Sequence, residues 1–103
     1  MSRGVARQFD VFRLPGDVLV VAIQSDLLDA MATRVVVPLL PAGAAGPPMR
    51  GLNPEIRLGE ERLILTPQLA ATLTLRELRQ PVGSVAHLRD EITRAIDILL
   101  TGV

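Results

Sequence analysis

The chain has 103 residues, with eleven arginines, eleven acidic residues, one histidine, and neither lysine nor cysteine. This length accommodates one domain, and the balance of charges excludes recruitment of nucleic acid or of an anionic membrane by bulk charge. A hydrophobic content of 49% excludes a disordered chain, and the lack of cysteine excludes disulfides and thiolate metal sites.

Neither the first residues nor the longest charge-free stretch has the pattern of a targeting or membrane segment. Residues 1–7 carry two arginines with no long apolar run after them, so we expect a short disordered leader and not a signal peptide. Residues 35–49 lack charge but contain four prolines, and they are shorter than the ~18 apolar residues that a membrane span needs. We therefore expect a single domain over residues 8–103, no membrane association, and a cytoplasmic location.

Two strands are predicted at the beginning of this domain. Alternation of polar and apolar residues over 8–13 predicts the first strand, and the β-branched run 18–23 predicts the second. Residues 14–17, Leu-Pro-Gly-Asp, form a tight turn between them. The second run is apolar at every position, which is typical of a central strand, whereas the mixed first run favours an edge strand.

A short polar segment leads from the second strand to a third. Ser25 or Asp26 is suited to cap a single helical turn, which leaves Leu27 and Leu28 exposed. Valines at 35–37 then continue the sheet. Pro38 restricts this third strand to a sheet edge or to its own end, because proline has no N–H for the ladder.

The second half of the chain predicts a connection and further strands. Residues 40–54, rich in Pro, Gly and Ala, predict an irregular and mobile connection. Residues 55–58 and 62–65 flank Gly-Glu-Glu, which is a hairpin pattern. Residues 73–78 predict one more strand.

The last segment changes from a strand period to a helical one. Apolar residues recur from Val85 with the spacing of an amphipathic helix, Ser84 is suited to be its N-cap, and Gly102 is suited to end it. We therefore expect a mainly β fold, with an antiparallel sheet followed by one C-terminal α-helix.

Side chains that carry catalysis are sparse. His87 is the only histidine, so a general base and a His-based metal cluster are both disfavoured. Phe9 and Phe12 are the only aromatic residues, and three positions apart on a strand they face opposite sides, which excludes a base-stacking platform. We expect a binding module without cofactor, metal or direct nucleic-acid contact, and not an enzyme.

Four strings in order resemble the CcdB family of bacterial toxins. They are QFDVF at 8–12, QSDLL at 24–28, RVVVPL at 34–39 and AIDILLTGV at 95–103. Residues 57–61 also resemble the hairpin of this family. The resemblance covers nearly the whole chain from Gln8 and includes its C-terminal Gly-aliphatic ending.

The resemblance implies the toxin of a type II toxin–antitoxin module. It implies a homodimeric, SH3-like barrel domain with a C-terminal helix, as in MazF and Kid toxins. Toxins of this family are not enzymes: they enter between the A subunits of DNA gyrase and trap the enzyme on cleaved DNA. A cognate antitoxin neutralises them through a segment that folds on binding. We expect that partner to be acidic and to contact arginines beside residues 40–54.

The resemblance assigns the gyrase contacts to the exposed leucine pair and to the end of the helix. The implied gyrase-binding residues are Leu27, Leu28, Asp97, Leu100, Thr101, Gly102 and Val103. Gly102 and Val103 keep the family pattern, but positions 97, 100 and 101 hold Asp, Leu and Thr where the best-known pattern has Asn, Phe and Trp. Truncation of a Trp anchor costs about 2 kcal/mol or more, so the tail is predicted to bind gyrase less tightly.

Two other functions stay open on the sequence. The same fold suits a MazF-like endoribonuclease, for which Arg34 and Thr33 are the candidates for phosphate contact and proton handling. Solvation of Arg34 on a strand is an equal alternative. The absence of the Trp pattern also fits a non-toxic interaction module derived from a toxin.

Overall fold

The computed structural model describes residues 6–103, so residues 1–5 of the predicted leader lie outside the described residues. Within residues 6–103 the chain forms seven strands and one α-helix, together with four short 3-10 turns. The strands and the helix are β1 Asp10–Leu14, β2 Val18–Ala22, β3 Thr33–Pro41, β4 Glu55–Leu58, β5 Glu61–Leu65, β6 Ala71–Thr74, β7 Pro81–Ser84 and α1 Arg89–Thr101. The 3-10 turns are Asp26–Leu28, Pro67–Leu69, Leu75–Glu77 and Ala86–Leu88. The predicted class, mainly antiparallel β with a C-terminal helix, is confirmed.

The strands form one curled antiparallel sheet in the order β4-β5-β3-β2-β1-β7, and β6 also pairs with β3. Its two end strands approach each other, since a Cβ added at Gly83 of β7 lies only 3.1 Å from Cδ1 of Leu58 in β4. The small residue at position 83 therefore allows the sheet to curl into a half-barrel. No helix within residues 6–103 has the length and apolar character to cross a membrane.

Strand β2 lies at the centre of the sheet, as its uniformly apolar sequence predicts. Leu19 and Val21 belong to one buried cluster, and Val20 and Ala22 belong to a second cluster. The prediction of an edge position for β1 is wrong, because β1 pairs with both β2 and β7. The sequence of β7 begins with proline and contains glycine, so it did not predict a strand. Without β7, the second neighbour of β1 was missing from the prediction.

Strand β3 passes through Pro38 without ending, which corrects the predicted strand end or edge. Pro38 is opposite Val20 of β2, and on its other side β3 changes partner from β6 to β5. The Pro38 carbonyl accepts hydrogen bonds from the N–H and the hydroxyl of Thr66, at 3.1 and 2.9 Å. The N–H and the carbonyl of one strand residue point to the same side of the strand. The N–H that Pro38 lacks would therefore point to the position between β5 and β6, where no ladder hydrogen bond is needed.

The predicted irregular connection at 40–54 is shorter than expected and is held to the fold. Strand β3 extends to Pro41, and the buried Asn53 accepts from the N–H of Met49 at 2.9 Å and donates to the carbonyl of Leu65 at 3.0 Å. Gly51, at φ 81°, approaches Ile98 of α1 so closely that an added Cβ would lie 2.7 Å from its Cδ1. These contacts attach the connection to both the sheet and the helix.

The remaining elements follow the predicted order with shifted boundaries. The hairpin of β4 and β5 is confirmed, with Gly59 at φ 63° in its turn. Strand β6 begins and ends earlier than the predicted strand 73–78 and shares only residues 73 and 74 with it, because residues 75–77 form a 3-10 turn. The prediction of Ser84 as N-cap of the helix is wrong, because Ser84 ends β7 and accepts from the N–H of Ala86, whereas α1 begins after Leu88. The helix buries Ile92 and Ala95 against the sheet face that carries Val11 and Val21.

Candidate functional site

The segment between β2 and β3 exposes the predicted leucine pair on a capped 3-10 turn. We call residues 25–32 the leucine loop. The Ser25 hydroxyl accepts from the N–H of Leu27 at 3.1 Å, which confirms the predicted cap. Leu27 is 93% exposed and Leu28 is 49% exposed, and Met31 adds a third exposed apolar side chain. Large apolar side chains this open to solvent are typical of a surface that binds another protein.

Bonds from outside the leucine loop hold its two ends. The N–H of Gln8 donates to Oδ1 of Asp26 at 2.8 Å, immediately before the leucines. Gln24 donates to the carbonyl of Thr33 at 3.1 Å and accepts from the N–H of Val35 at 3.0 Å. Residues 18 positions apart in the chain are thus joined at the start of the loop, and no local sequence pattern encodes such a bond.

Arg34 is buried beneath the same loop, at 4% exposure. Its Nε donates to the carbonyl of Ala6 at 3.2 Å, one terminal nitrogen donates to Met31 and Thr33 at 2.7 and 2.9 Å, and the other donates to Asp29 at 3.2 Å. Solvation on a strand is therefore wrong for this residue. A phosphate would have to displace backbone carbonyls to reach the guanidinium, which removes the support for Arg34 as a phosphate contact.

Thr33, the second candidate for the ribonuclease alternative, lies at the start of β3. It lines a shallow cleft of about 410 Å³ together with Ala32, Thr74, Leu75 and Arg76. The Arg34 guanidinium is directed to the loop carbonyls, whereas this cleft is formed by the paired ends of β3 and β6. The structure does not bring the two candidates together around one reacting group.

The C-terminal tail, residues 99–103, consists of the last three residues of α1 and the two residues after them. Gly102 adopts φ 82° and its N–H donates to the carbonyl of Ile98 at 2.8 Å, which confirms the predicted glycine stop. The Thr101 hydroxyl donates to the carbonyl of Asp97 at 2.7 Å. Leu100 and Val103 are 75% and 90% exposed. The helix end therefore presents two apolar side chains to solvent, while the carbonyls of Asp97 and Ile98 are bonded within its last turn.

An open groove of about 710 Å³, which we call the tail groove, runs along α1 beside the start of β1, where the chain turns at Phe9 with φ 71°. Arg89 lies over the Phe9 ring, 5.1 Å from its centre. The groove is lined by Gln8, Phe9, Arg89, Asp90, Thr93, Arg94, Asp97, Ile98 and Val103.

Gln8 links the two groups of predicted site residues. It lines the groove together with Asp97 and Val103, and its N–H holds Asp26 next to Leu27. The leucine loop and the tail groove therefore adjoin each other at Gln8. Gln8 begins the first family-like string but is not among the predicted site residues.

The electrostatics of this region depend on two carboxyl groups near Gln8. Burial raises the pKa of Asp10, and the nearby charge of Asp26 acts in the same direction, while the N–H of Arg7 donates to Asp10 at 3.2 Å and opposes the shift. Within residues 6–103 no group of three or more His, Asp or Glu side chains is placed to hold a metal ion. The chemistry that this surface offers is apolar contact with polar and charged groups at its margin.

Comparison with known proteins identifies the family and the fold of this chain. The family model described as CcdB protein matches residues 8–102. Among solved structures, an endoribonuclease from Mycobacterial species is similar in fold, with a TM-score of 0.77 and 14% sequence identity over 97% of this chain and 95% of that chain. At this identity the likeness establishes the fold. The chain belongs to the CcdB family, and this membership indicates the toxin of a toxin–antitoxin system.

Proposed function

We propose that this protein is a toxin that acts by binding DNA gyrase and trapping it on cleaved DNA, without catalysing a reaction of its own. The observation that supports the proposal is the neighbouring position of the leucine loop and the tail groove, joined through Gln8. These are the two regions that the family resemblance assigns to the gyrase A subunit. Both present exposed aliphatic side chains, which is what a protein interface needs at its centre.

The target contact is made by Leu27 and Leu28 on one side and by the tail on the other. Leu100 and Val103 offer apolar area, and Gly102 directs the terminal residue away from the helix axis. Asp97, at the groove wall, supplies a polar contact. A leucine and a threonine replace large aromatic side chains here, so gyrase binding is weaker than with the Phe-Trp pattern.

The test is the accumulation of cleaved plasmid with purified gyrase. We expect the wild-type chain to increase cleavage, deletion of residues 101–103 to abolish it, and Leu100→Phe combined with Thr101→Trp to enhance it. The deletion removes few buried contacts, so its melting temperature should stay close to that of the wild type. Equal trapping by the truncated chain would place the working surface elsewhere, and no trapping by any variant would exclude gyrase as the target.

We propose that the active form is a homodimer. Apart from the leucines assigned to gyrase, the 103-residue chain exposes Leu69 and Val82, and self-association would cover this further apolar surface. Sedimentation at low micromolar concentration should give a dimer. A stable monomer of 11.1 kDa under those conditions contradicts this part of the proposal.

We propose an acidic antitoxin as the second partner. Arg50 is exposed in the connection between β3 and β4, and Arg57 is exposed in the adjacent strand β4. Guanidinium groups bind carboxylates through paired hydrogen bonds, and such contacts at a surface are screened by salt. Affinity for the cognate antitoxin should therefore fall as ionic strength rises. An affinity that does not change with salt would exclude an electrostatic contribution.

An endoribonuclease activity is the alternative that the shared fold with a mycobacterial endoribonuclease brings forward. Incubation of RNA with the purified chain distinguishes the two functions, with Thr33→Val as the control against contaminating nuclease. Sequence-specific cleavage that disappears in this variant would replace the gyrase proposal. Unchanged RNA together with cleaved plasmid would support the gyrase proposal.

A further inference from the structure

Arg34 is the one buried arginine of the described chain, and its guanidinium lies directly below the leucine loop. We propose that Arg34 is a positioning residue, which holds the leucine loop in the conformation that presents Leu27 and Leu28 to the target. The proposal rests on the proposed function where it concerns the target. Its structural part, the conformation of the loop, can be tested independently.

The bonds of Arg34 join three separate pieces of chain. The carbonyls of Asp29 and Met31 belong to the half of the loop that follows the leucine turn, and both accept from Arg34, at 3.2 and 2.7 Å. The carbonyl of Ala6, 28 positions away, accepts from Nε at 3.2 Å. The loop therefore returns to β3 along a path set by one side chain, and the segment that leads to Gln8 is attached to the same group.

The chemistry of these contacts requires arginine. Four N–H groups are used by four carbonyls that approach in different directions, which a planar guanidinium satisfies and a compact ammonium with three donors does not. Among residues 6–103 the ion pairs are Arg13–Asp17 and Arg62–Glu55, so Arg34 has no carboxylate partner. A buried charge held only by carbonyls is costly to desolvate, and the arrangement is easier to explain as loop positioning than as gain in stability.

A purely structural role is the competing explanation, and Asn53 provides a matched control. Asn53 is also buried, and its side chain also joins backbone groups of a connection, through Met49 and Leu65, with Gln68 as a further partner. It lies in the connection before β4 and shares no hydrogen bond with the leucine loop. Asn53→Ala therefore removes buried polar bonds of the same kind and leaves every hydrogen bond of the leucine loop in place.

The experiment compares wild type, Arg34→Met, Arg34→Lys and Asn53→Ala at a temperature at which each is folded. Thermal unfolding measures stability, titration with the purified gyrase A subunit measures affinity, and amide hydrogen exchange measures the loop through the hydrogen-bonded N–H groups of Leu28, Asp29 and Met31. We expect Arg34→Met to accelerate exchange at these amides and to weaken target binding about tenfold or more. Asn53→Ala should lower the melting temperature while affinity stays within about twofold.

Arg34→Lys keeps the charge and tests the geometry if Arg34→Met does not fold. It should show the same accelerated exchange and weaker binding, because lysine lacks the planar fork. Wild-type exchange at the loop amides in both Arg34 variants would overturn the proposal, as would equal losses of affinity in Asn53→Ala. If the wild-type chain does not bind gyrase, the proposed function fails, and the exchange measurement still decides whether Arg34 positions the loop.

Discussion

The leucine loop and the C-terminal tail expose similar aliphatic side chains but are held in different ways. The loop depends on bonds from residues outside it: Arg34 of β3 donates to Asp29 and Met31, and Gln8, 18 positions away, donates to Asp26. The tail depends on bonds within its own helix, from Gly102 to Ile98 and from Thr101 to Asp97. The shape of the loop is thus a property of the whole fold, whereas the shape of the tail is a property of its last helical turn.

Because of this difference, substitutions can disturb the proposed target surface in two distinct ways. Changes far from Leu27 can disturb the loop, because its supporting bonds come from β3 and from the segment before β1. The tail should respond only to changes in the tail itself, because a helix terminus loses its order locally. Substitutions in the two regions should accordingly have distinct effects on stability, exchange and binding.

The largest effect on binding is expected from Leu27→Asp. Leu27 makes almost no intramolecular contact at 93% exposure, so the unfolding free energy should change by less than about 0.5 kcal/mol. Burial of a new carboxylate against an apolar target should weaken affinity for the gyrase A subunit about 100-fold. Denaturant unfolding checks the stability and calorimetric titration checks the affinity, and Met49→Asp, at another exposed apolar position, is the control that should bind normally. Equal behaviour of the two variants would remove Leu27 from the interface.

A smaller effect is expected from Gly102→Ala in the tail. Its φ of 82° disfavours any L side chain, although an added Cβ has no neighbour within 4 Å, so the cost is backbone strain of about 1 kcal/mol. The strain should loosen the end of the helix and reduce target affinity several-fold. Gly59→Ala, at φ 63° and equally open in the β4–β5 turn, imposes the same kind of strain away from the target surface. Loss of affinity in both variants would mean that strain in general, and not the tail, controls binding.

Thr101→Val should act more weakly still. It removes the hydroxyl that donates to the Asp97 carbonyl at 2.7 Å, an exposed bond worth about 0.5–1 kcal/mol. Faster amide exchange at Gly102 should be the visible result, with the leucine loop amides unchanged. Faster exchange in the loop would show that the two regions are coupled, and would contradict the claim that the loop and the tail are held independently.

The smallest effect is a pH dependence at the base of the leucine loop. Glu77 accepts from the N–H and the hydroxyl of Thr74, at 2.8 and 3.0 Å, and these bonds lower the pKa of Glu77. A lowered folded-state pKa contributes stability above the ordinary value of 4.5 that is lost as pH falls through the folded-state value. Thr74 is paired with Thr33, next to the loop. The melting temperature of wild type should exceed that of Glu77→Gln at neutral pH, and the difference should shrink as pH falls below 4.5. A constant difference would exclude this carboxylate as its source.

Local patterns predict much of this fold. Period-two apolar residues and a glycine turn suffice for the β4–β5 hairpin, a Ser cap suffices for the leucine turn, and helical periodicity suffices for α1. Strand β7 was missed because its four residues include proline and glycine and depend on β1 for pairing. The prediction of a strand end at Pro38 was wrong because proline interrupts a sheet only where its N–H is needed for a ladder bond. No such bond is needed where β3 changes partner from β6 to β5.

The candidate site was predictable only in its exposed part. Leu27, Leu28 and Gly102 follow from capping and helix-stop patterns together with the family resemblance. Arg34 was misjudged because arginines are almost never fully buried, and the carbonyls that satisfy it lie from 1 to 28 positions away. Gln8 was missed because its bond to Asp26 spans 18 positions. Contacts set by the fold leave no trace in a local pattern.

The most direct test of the central claim, that the leucine loop and the tail together form the target surface, is an amide hydrogen-exchange footprint with the purified gyrase A subunit. The chain should gain protection over residues 26–31 and 99–103, while the β4–β5 hairpin, residues 55–65, exchanges as in the free protein. Protection confined to one of the two regions, or to the hairpin, would contradict a single surface built from both. Unchanged exchange throughout a chain mixed with excess gyrase A subunit would contradict gyrase as its target.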